Sequence, residues 1–441
     1  MSNTDRYTKK KIKSISSETL NGENYSRSDF ARSILNYPAM MVPSVQEPIF
    51  EKLSEALNNE VSLLDPFMGA SNTLVTGMKY GMNVFGQDIN PLSVLLSQVK
   101  ICFYENSELI DAEERLNNLI VSDKSESVEV TFDNIDKWFT KEIQIELSKI
   151  YRAVRREPIL KTRKFFWVAL AETIRLTSND RTSTFKLHMR PVEEINARQV
   201  SAIKTFISIS RKNILNISNY INILSQNGCI KKGKYIKNAT VLWGDTNIEI
   251  RTNKKFNLLV TSPPYGDNQT TVTYGQFSYL PLQWIPIEDI DDTIIFDYLK
   301  TTQYIDNKSL GGQINDSDNN ITERIFERSR TLKRFVTQFK DNDLKKKAGK
   351  VTRFIVDLDN SIDKMLPKMK KDSFLVWTVG NRNVNKKLVR NDLIVKELFA
   401  SKGVEVFTDL EREILSKRMP GRNNFSNMMS REKIIIFKKT K

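Results

Sequence analysis

Apolar residues along the chain fall into short runs separated by long polar, charge-dense stretches. In NYPAMMVPSVQEPIFEKLSEAL, prolines at 38 and 43 precede a helical period that sets Val45, Ile49, Leu53 and Leu57 on one face, which predicts a helix. VSLLDPF follows as a short apolar run closed by an acid, the pattern of a buried strand. GASNTLVTGMKYG then reads as a turn into a helix, and NVFGQDINP repeats the strand-then-acid pattern 23 residues later. Strand, helix and strand within about 30 residues form the βαβ unit of a parallel sheet.

The rhythm breaks between residues 102 and 235, where long helical patterns carry dense charge (RAVRREP, KTRKFFWVALAETIRL), and this stretch is expected to be a helical insertion. Strands resume in NATVLWGDT and FNLLVTSPPYGD. Residues 286–350 are polar, rich in Asp and Lys, and read as a second insertion. SFLVWTVGNR, GVEVFTDLERE and EKIIIFKK supply three more strands, the last two expected to be antiparallel at the sheet edge. The predicted class is α/β, with the catalytic domain assembled from 31–101, 236–285 and 351–441 and a loose or partly helical segment over 1–30.

Composition narrows the chemistry. The 68 Lys and Arg against 53 Asp and Glu give a formal charge of +15, suited to a polyanionic partner such as nucleic acid. Cys102 and Cys229 stand far apart and His188 is the single histidine, so neither a disulfide scaffold nor a Cys/His zinc site is expected. No apolar run approaches the length of a membrane span, and the polar, basic opening MSNTDRYTKKKIK does not resemble a secretory signal; a cytoplasmic location is expected.

Two segments carry candidate chemistry. In LLDPFMGAS, a strand end is followed by a glycine that lets backbone approach a ligand and by a helix N-terminus with free N–H groups, a site for a nucleotide-like molecule. Asp88 closes the next strand, where a carboxylate can accept from ribose hydroxyls; the GxGxxG fingerprint of dinucleotide enzymes is missing. In TSPPYGD, Pro263 and Pro264 enforce a rigid extended turn at a strand end, and Tyr265 follows with a flat face suited to stacking on a base.

Together, DPFMGAS and TSPPY resemble the cofactor and catalytic motifs of the amino-methylating bacterial DNA methyltransferases of the TSPPY type, the modification enzymes of restriction-modification systems. YPAMMVP, QDINP, GDT, WTVGNRNV and the tail KRMPGRNNFSNMMSREKIIIFKK extend the similarity, which covers about half the chain. The resemblance implies a Rossmann-like seven-stranded sheet with S-adenosylmethionine as cofactor. Asp65 is then expected at its methionine end, Phe67 on its adenine, Gly69 at close approach, Asp88 on its ribose and Asp245 on the adenine amine, with Tyr37, Pro38, Ser71 and Thr261 in the same pocket. Ser262 and the Pro263 carbonyl would hold the amino protons of a flipped-out base, and Pro264 and Tyr265, with Tyr274 or Phe277, would frame it. A serine at the first position of this motif accompanies cytosine N4, an aspartate or asparagine adenine N6. Methylation at cytosine C5 is disfavoured, because neither cysteine follows a proline in the motif that reaction needs.

Double-stranded DNA is the implied partner, with a cognate restriction endonuclease acting on the same site. The insertion at 102–235 is expected to bind DNA, with Arg152, Arg155, Arg156, Arg163, Lys164 and Arg181 on phosphates and Arg418 near DNA. Residues 286–350 are a candidate for target recognition. An RNA methyltransferase and an adenine-N6 enzyme remain as alternatives.

Overall fold

The structure, a computed structural model, describes residues 3–22, 34–38, 41, 43–58, 60–295, 297–312, 319–414 and 431–440. Seven strands form one sheet: β1 (Ser62–Asp65), β2 (Asn83–Asp88), β3 (Ala239–Trp243), β4 (Phe256–Thr261), β5 (Met369–Gly380), β6 (Glu405–Glu413) and β7 (Arg431–Lys439). Their spatial order is β6-β7-β5-β4-β1-β2-β3. The first five run parallel, and β7 enters antiparallel between β5 and β6. The expected antiparallel pairing of the last two strands at the sheet edge is present: β6 is the border strand and β7 lies next to it, against β5.

Consecutive residues of each inner strand feed opposite layers, because side chains alternate across a sheet. Leu63 and Leu258 join one core while Leu64 and Leu259 join the other. The first layer contains α1 (Asn3–Lys13), α2 (Pro43–Ala56), α3 (Asn72–Lys79) and α4 (Pro91–Ile101), with the insertion helices α5 (Asn106–Ser122), α6 (Lys141–Arg155), α7 (Leu160–Thr177) and α8 (Ala202–Gln226), and then α9 (Tyr274–Gln283). The insertion is helical as expected, and α7, apolar on nearly every side, forms its centre through Phe165, Phe166 and Trp167.

The opposite layer consists of α10 (Asn319–Arg328), α11 (Arg330–Thr337), α12 (Asn342–Met365) and α13 (Asn391–Ser401). Two sequence boundaries move. The division at residue 350 falls inside α12, which is one continuous helix with a buried stripe from Ala348 to Met365. Residues 3–21, expected to be loose or partly helical, form α1 and a short helical turn at Ser17–Asn21 and are packed in place. Ile12 and Leu20 anchor them in the core, and Lys438 pairs with Asp5 at 2.5 Å.

Candidate active site

The carboxyl ends of the parallel strands are where an open α/β sheet binds its ligands. Here the turn after β1 passes from Asp65 through Pro66 to Gly69, whose φ of +48° is strained for any residue with a Cβ. Asp88, at the end of β2, accepts from the Gly69 N–H at 2.9 Å and from the Asn90 N–H at 2.9 Å. Beneath the turn lies Lys100 of α4, fully buried, donating to the Ala70 carbonyl at 2.6 Å and to Asn72 Oδ1 at 3.0 Å. This residue was missed in the sequence, although a lysine inside the apolar helix PLSVLLSQVKI was a visible signal.

Asp65 is almost completely buried and accepts from the Thr261 hydroxyl at 2.8 Å and the Phe67 N–H at 3.2 Å. Burial pushes its carboxyl up to about 7, against the lowering effect of hydrogen bonds from Thr261, Thr73 and Phe67. Burial likewise pushes Asp245, just past β3, up to about 6. The Thr246 hydroxyl donates to the Pro66 carbonyl at 2.6 Å and so ties the β3 turn to the β1 turn.

The proline turn faces this floor. Ser262 Oγ lies 3.2 Å from Tyr265 Oη, which donates to Glu432 Oε1 at 2.9 Å; Glu432 Oε2 accepts from Arg412 Nε at 2.6 Å. A phenol has one proton, and with that proton on Glu432 its oxygen accepts from the Ser262 hydroxyl. The Ser262 lone pairs are thereby left to accept from something else. Asn391 Nδ2 donates both to the Tyr265 carbonyl at 3.0 Å and to the Gly380 carbonyl at 2.8 Å, fixing the turn to the end of β5.

On the remaining side, Tyr37 stacks on Tyr274 with ring centroids 5.8 Å apart and meets the edge of Phe277 at 5.5 Å. Asn90 Nδ2 donates to Tyr37 Oη at 3.0 Å and Ser278 Oγ at 2.8 Å. Asp306 accepts from the Gly275 N–H at 2.9 Å at the start of α9, and Asn268 beside it is buried with its Oδ1 unpartnered among the described residues.

These elements line one open pocket at the carboxyl ends of the strands. Of the sequence-predicted residues, Tyr37, Pro38, Asp65, Phe67, Gly69, Asp88, Asp245, Ser262 and Pro264 line it. Thr261 sits behind Asp65 as its hydrogen-bond donor. Ser71 does not reach the pocket: it is fully buried behind the turn and bonded to Ser97. Pro263 is buried under the turn, and the Tyr265 hydroxyl points to Glu432. Tyr274 lines the pocket, while Phe277 lies beneath Tyr37, its ring 4.1 Å from the Arg175 guanidinium.

The insertion cations divide. Arg163 makes a two-pronged pair with Asp289 at 2.7 and 2.8 Å, and Arg152 is clamped by Asp123 at 2.7 Å and Glu129 at 2.8 Å. Lys164 donates to Gln98 at 2.8 Å and Arg155 pairs with Glu288 at 3.1 Å. Arg156 and Arg181 are exposed, and Arg418 lies outside the described residues.

A Rossmann-like sheet with one antiparallel strand inserted beside β5, and an acid-lined pocket at the carboxyl ends of β1 and β2, define a methyltransferase fold. Comparison agrees: the chain is 33% identical over 415 residues to the type II methyltransferase M.MvaI of Kocuria varians, spanning 91% of this chain and 87% of that protein. The chain belongs to the type II methyltransferase family. It is also 32% identical over 83 residues to the type II methyltransferase M.MjaII of Methanocaldococcus jannaschii, 19% of this chain and 15% of that one. No protein-family model matches. Among solved structures, the rRNA methyltransferase aviRa of Streptomyces viridochromogenes aligns over 94% of this chain and 93% of its own at 10% identity with a TM-score of 0.29, too distant to carry an argument.

Proposed function

We propose that this methyltransferase carries a methyl group from S-adenosylmethionine to the exocyclic N4 of a cytosine flipped out of duplex DNA at a specific site, protecting that site from a cognate restriction endonuclease. The observation that carries the reading is Ser262: a hydroxyl held as an acceptor at the mouth of a pocket lined by three carboxylates. Among the described residues, Asp65, Asp88 and Asp245 line the pocket and no lysine, arginine or histidine does, in a chain of net charge +15. That donor set fits a ligand bearing an ammonium and a sulfonium.

S-Adenosylmethionine supplies, when bound, a methyl group on a sulfonium sulfur. Asp88, fixed by the Gly69 and Asn90 N–H groups, presents its carboxylate to the pocket as an acceptor for ribose hydroxyls. Phe67 offers a face to adenine, Asp245 an acceptor to its amine, and Asp65 supports the methionine end.

An exocyclic amine is a poor nucleophile because its lone pair is delocalised into the ring. Ser262 Oγ and the Pro263 carbonyl accept hydrogen bonds from its two N–H groups and draw the nitrogen toward a tetrahedral shape aimed at the methyl. Holding both reactants in line supplies much of the rate, and no covalent intermediate is needed. The methylated nitrogen sheds one proton, and the Ser262–Tyr265–Glu432 chain offers it a path out of the pocket. Incubation with S-adenosylmethionine and unmethylated DNA, followed by nucleoside mass spectrometry, tests the assignment. N4-Methylcytosine is expected; N6-methyladenine would reverse the base, and unmodified DNA would move the substrate to RNA.

A further inference from the structure

The positive charge of the chain is concentrated away from the large insertion. Residues 102–235 hold 22 Lys and Arg against 17 Asp and Glu, whereas 319–353 hold 11 against 4 in about a quarter of the length. Among the described residues, Arg328 is the one cation of that shorter stretch within ion-pair distance of a carboxylate, chiefly Asp359. On α12, Lys346, Lys350 and Arg353 follow the i, i+4, i+7 spacing of one helix stripe, opposite the buried Ala348, Val351 and Ile355. The Nε of Arg353 is buried without a hydrogen-bond partner among the described residues.

The stripe leads to the pocket. Asp357, next on the same stripe, accepts the Gly311 N–H at 2.7 Å, and the neighbouring Ser309 and Leu310 line the pocket. Gly311 has φ +74°, and a Cβ there would lie 2.9 Å from the Phe354 backbone, so the loop closes on α12 only as glycine. From Lys346 to Asp357 the row spans about 16 Å at the helical rise. Topology fixes its direction: α12 ends at Met365 and β5 begins at Met369 parallel to β4, so the lysine-rich N-terminal half of α12 lies toward the carboxyl edge of the sheet. α11 packs on the hairpin strand Lys387–Val389, just past the carboxyl end of β5, which places the preceding helix at that edge too.

We propose that Lys346, Lys350 and Arg353 form a phosphate-binding ridge that holds the backbone of duplex DNA beside the pocket. The assignment rests on the DNA reading above. Its occupant is identified by sign and spacing: a polyanion met by a row of cations of which Lys346 and Lys350, among the described residues, stand beyond ion-pair distance of any carboxylate, while Arg353 has Asp357 one turn further along.

The test is binding of a 30-bp duplex of unmethylated DNA at salt concentrations from 50 to 200 mM. Each phosphate contact contributes about 0.9 to the slope of log K against log salt. Lys346→Gln/Lys350→Gln/Arg353→Gln is expected to make the slope shallower by about 2.7 and to weaken binding tenfold or more, with S-adenosylmethionine affinity unchanged. Lys346→Gln/Lys350→Gln, sparing the half-buried arginine, is expected to remove about 1.8. Wild-type slope in both variants would overturn the ridge while leaving the DNA reading intact. A wild-type protein that ignores duplex DNA would overturn both.

Discussion

The pocket and the helix stripe beside it are joined through one hydrogen bond, Gly311 to Asp357, yet they are opposite in sign. One side gathers three half-buried or buried acids and, among the described residues, no base; the other lines up cations on a helix face. Net charge is therefore a poor guide to any one surface of this molecule. The acids fit a small cation and the stripe fits a polyanion, and Ser262, which is neutral, stands where the two ligands would meet.

Removing the neutral member is expected to have the largest effect. Ser262→Ala should lower kcat about 100-fold or more, the scale of losing one positioned hydrogen bond in a transition state, with both ligands still bound in equilibrium measurements. Loss of binding in place of turnover would show that Ser262 belongs to one of the two surfaces.

Neutralising the acid side comes next. Asp88→Ala removes a charged hydrogen-bond acceptor and should weaken S-adenosylmethionine about 10- to 100-fold by calorimetry, leaving the salt slope of DNA binding unchanged. A changed salt slope would mean that the two signs are coupled.

Acidity sharpens the same contrast. Asp65 and Asp245, held up to about 7 and about 6 by burial, keep protons that a free aspartate has lost. A cationic ligand favours their carboxylates, so S-adenosylmethionine affinity should rise as pH goes from 5.5 to 7.5, by about tenfold. Stability of the unliganded protein should move the other way. A folded-state value raised above the unfolded one gives stability that is fully present below about pH 4 and is lost as pH rises through 6 to 7. Thermal melting with and without cofactor checks both directions, and parallel curves would count against the acid pocket.

The smallest effect is expected at Glu432, which touches neither ligand. Glu432→Gln should reduce kcat several-fold and shift its pH profile, with KM for both ligands unchanged, because the amide no longer fixes the direction of the Tyr265 proton. An unshifted profile would reduce Glu432 to a packing role.

Much of this layout could be read in the sequence. Strands closed by acids or prolines announce their own carboxyl ends, and Asp65, Asp88, Asp245 and Ser262 converge because parallel strands bring such ends to one edge. What could not be read is whatever depends on distant partners. Tyr265 and Glu432 are 167 residues apart, and nothing near Arg152 or Arg163 in sequence reveals Asp123 or Asp289 as the acids that clamp them. The packing of the opening segment was hidden for a related reason: Ile12 and Leu20 are few and isolated, and their burial depends on a surface supplied by other helices.

The outer border of the sheet has a consequence for self-association. β6 is nine residues long, enough to recruit a strand from another copy, but α1 and the helical turn at Ser17–Asn21 pack against it. The Glu413 N–H is already bonded to Asn21 Oδ1 at 2.8 Å. Asp409, Glu411 and Glu413 are paired with Lys396, Lys433 and Arg431, so the rim of this strand carries interlocked charge of both signs in place of an apolar face. The opposite border, β3, offers only five residues. Both borders thus discourage the edge-to-edge stacking that exposes sheet proteins to aggregation.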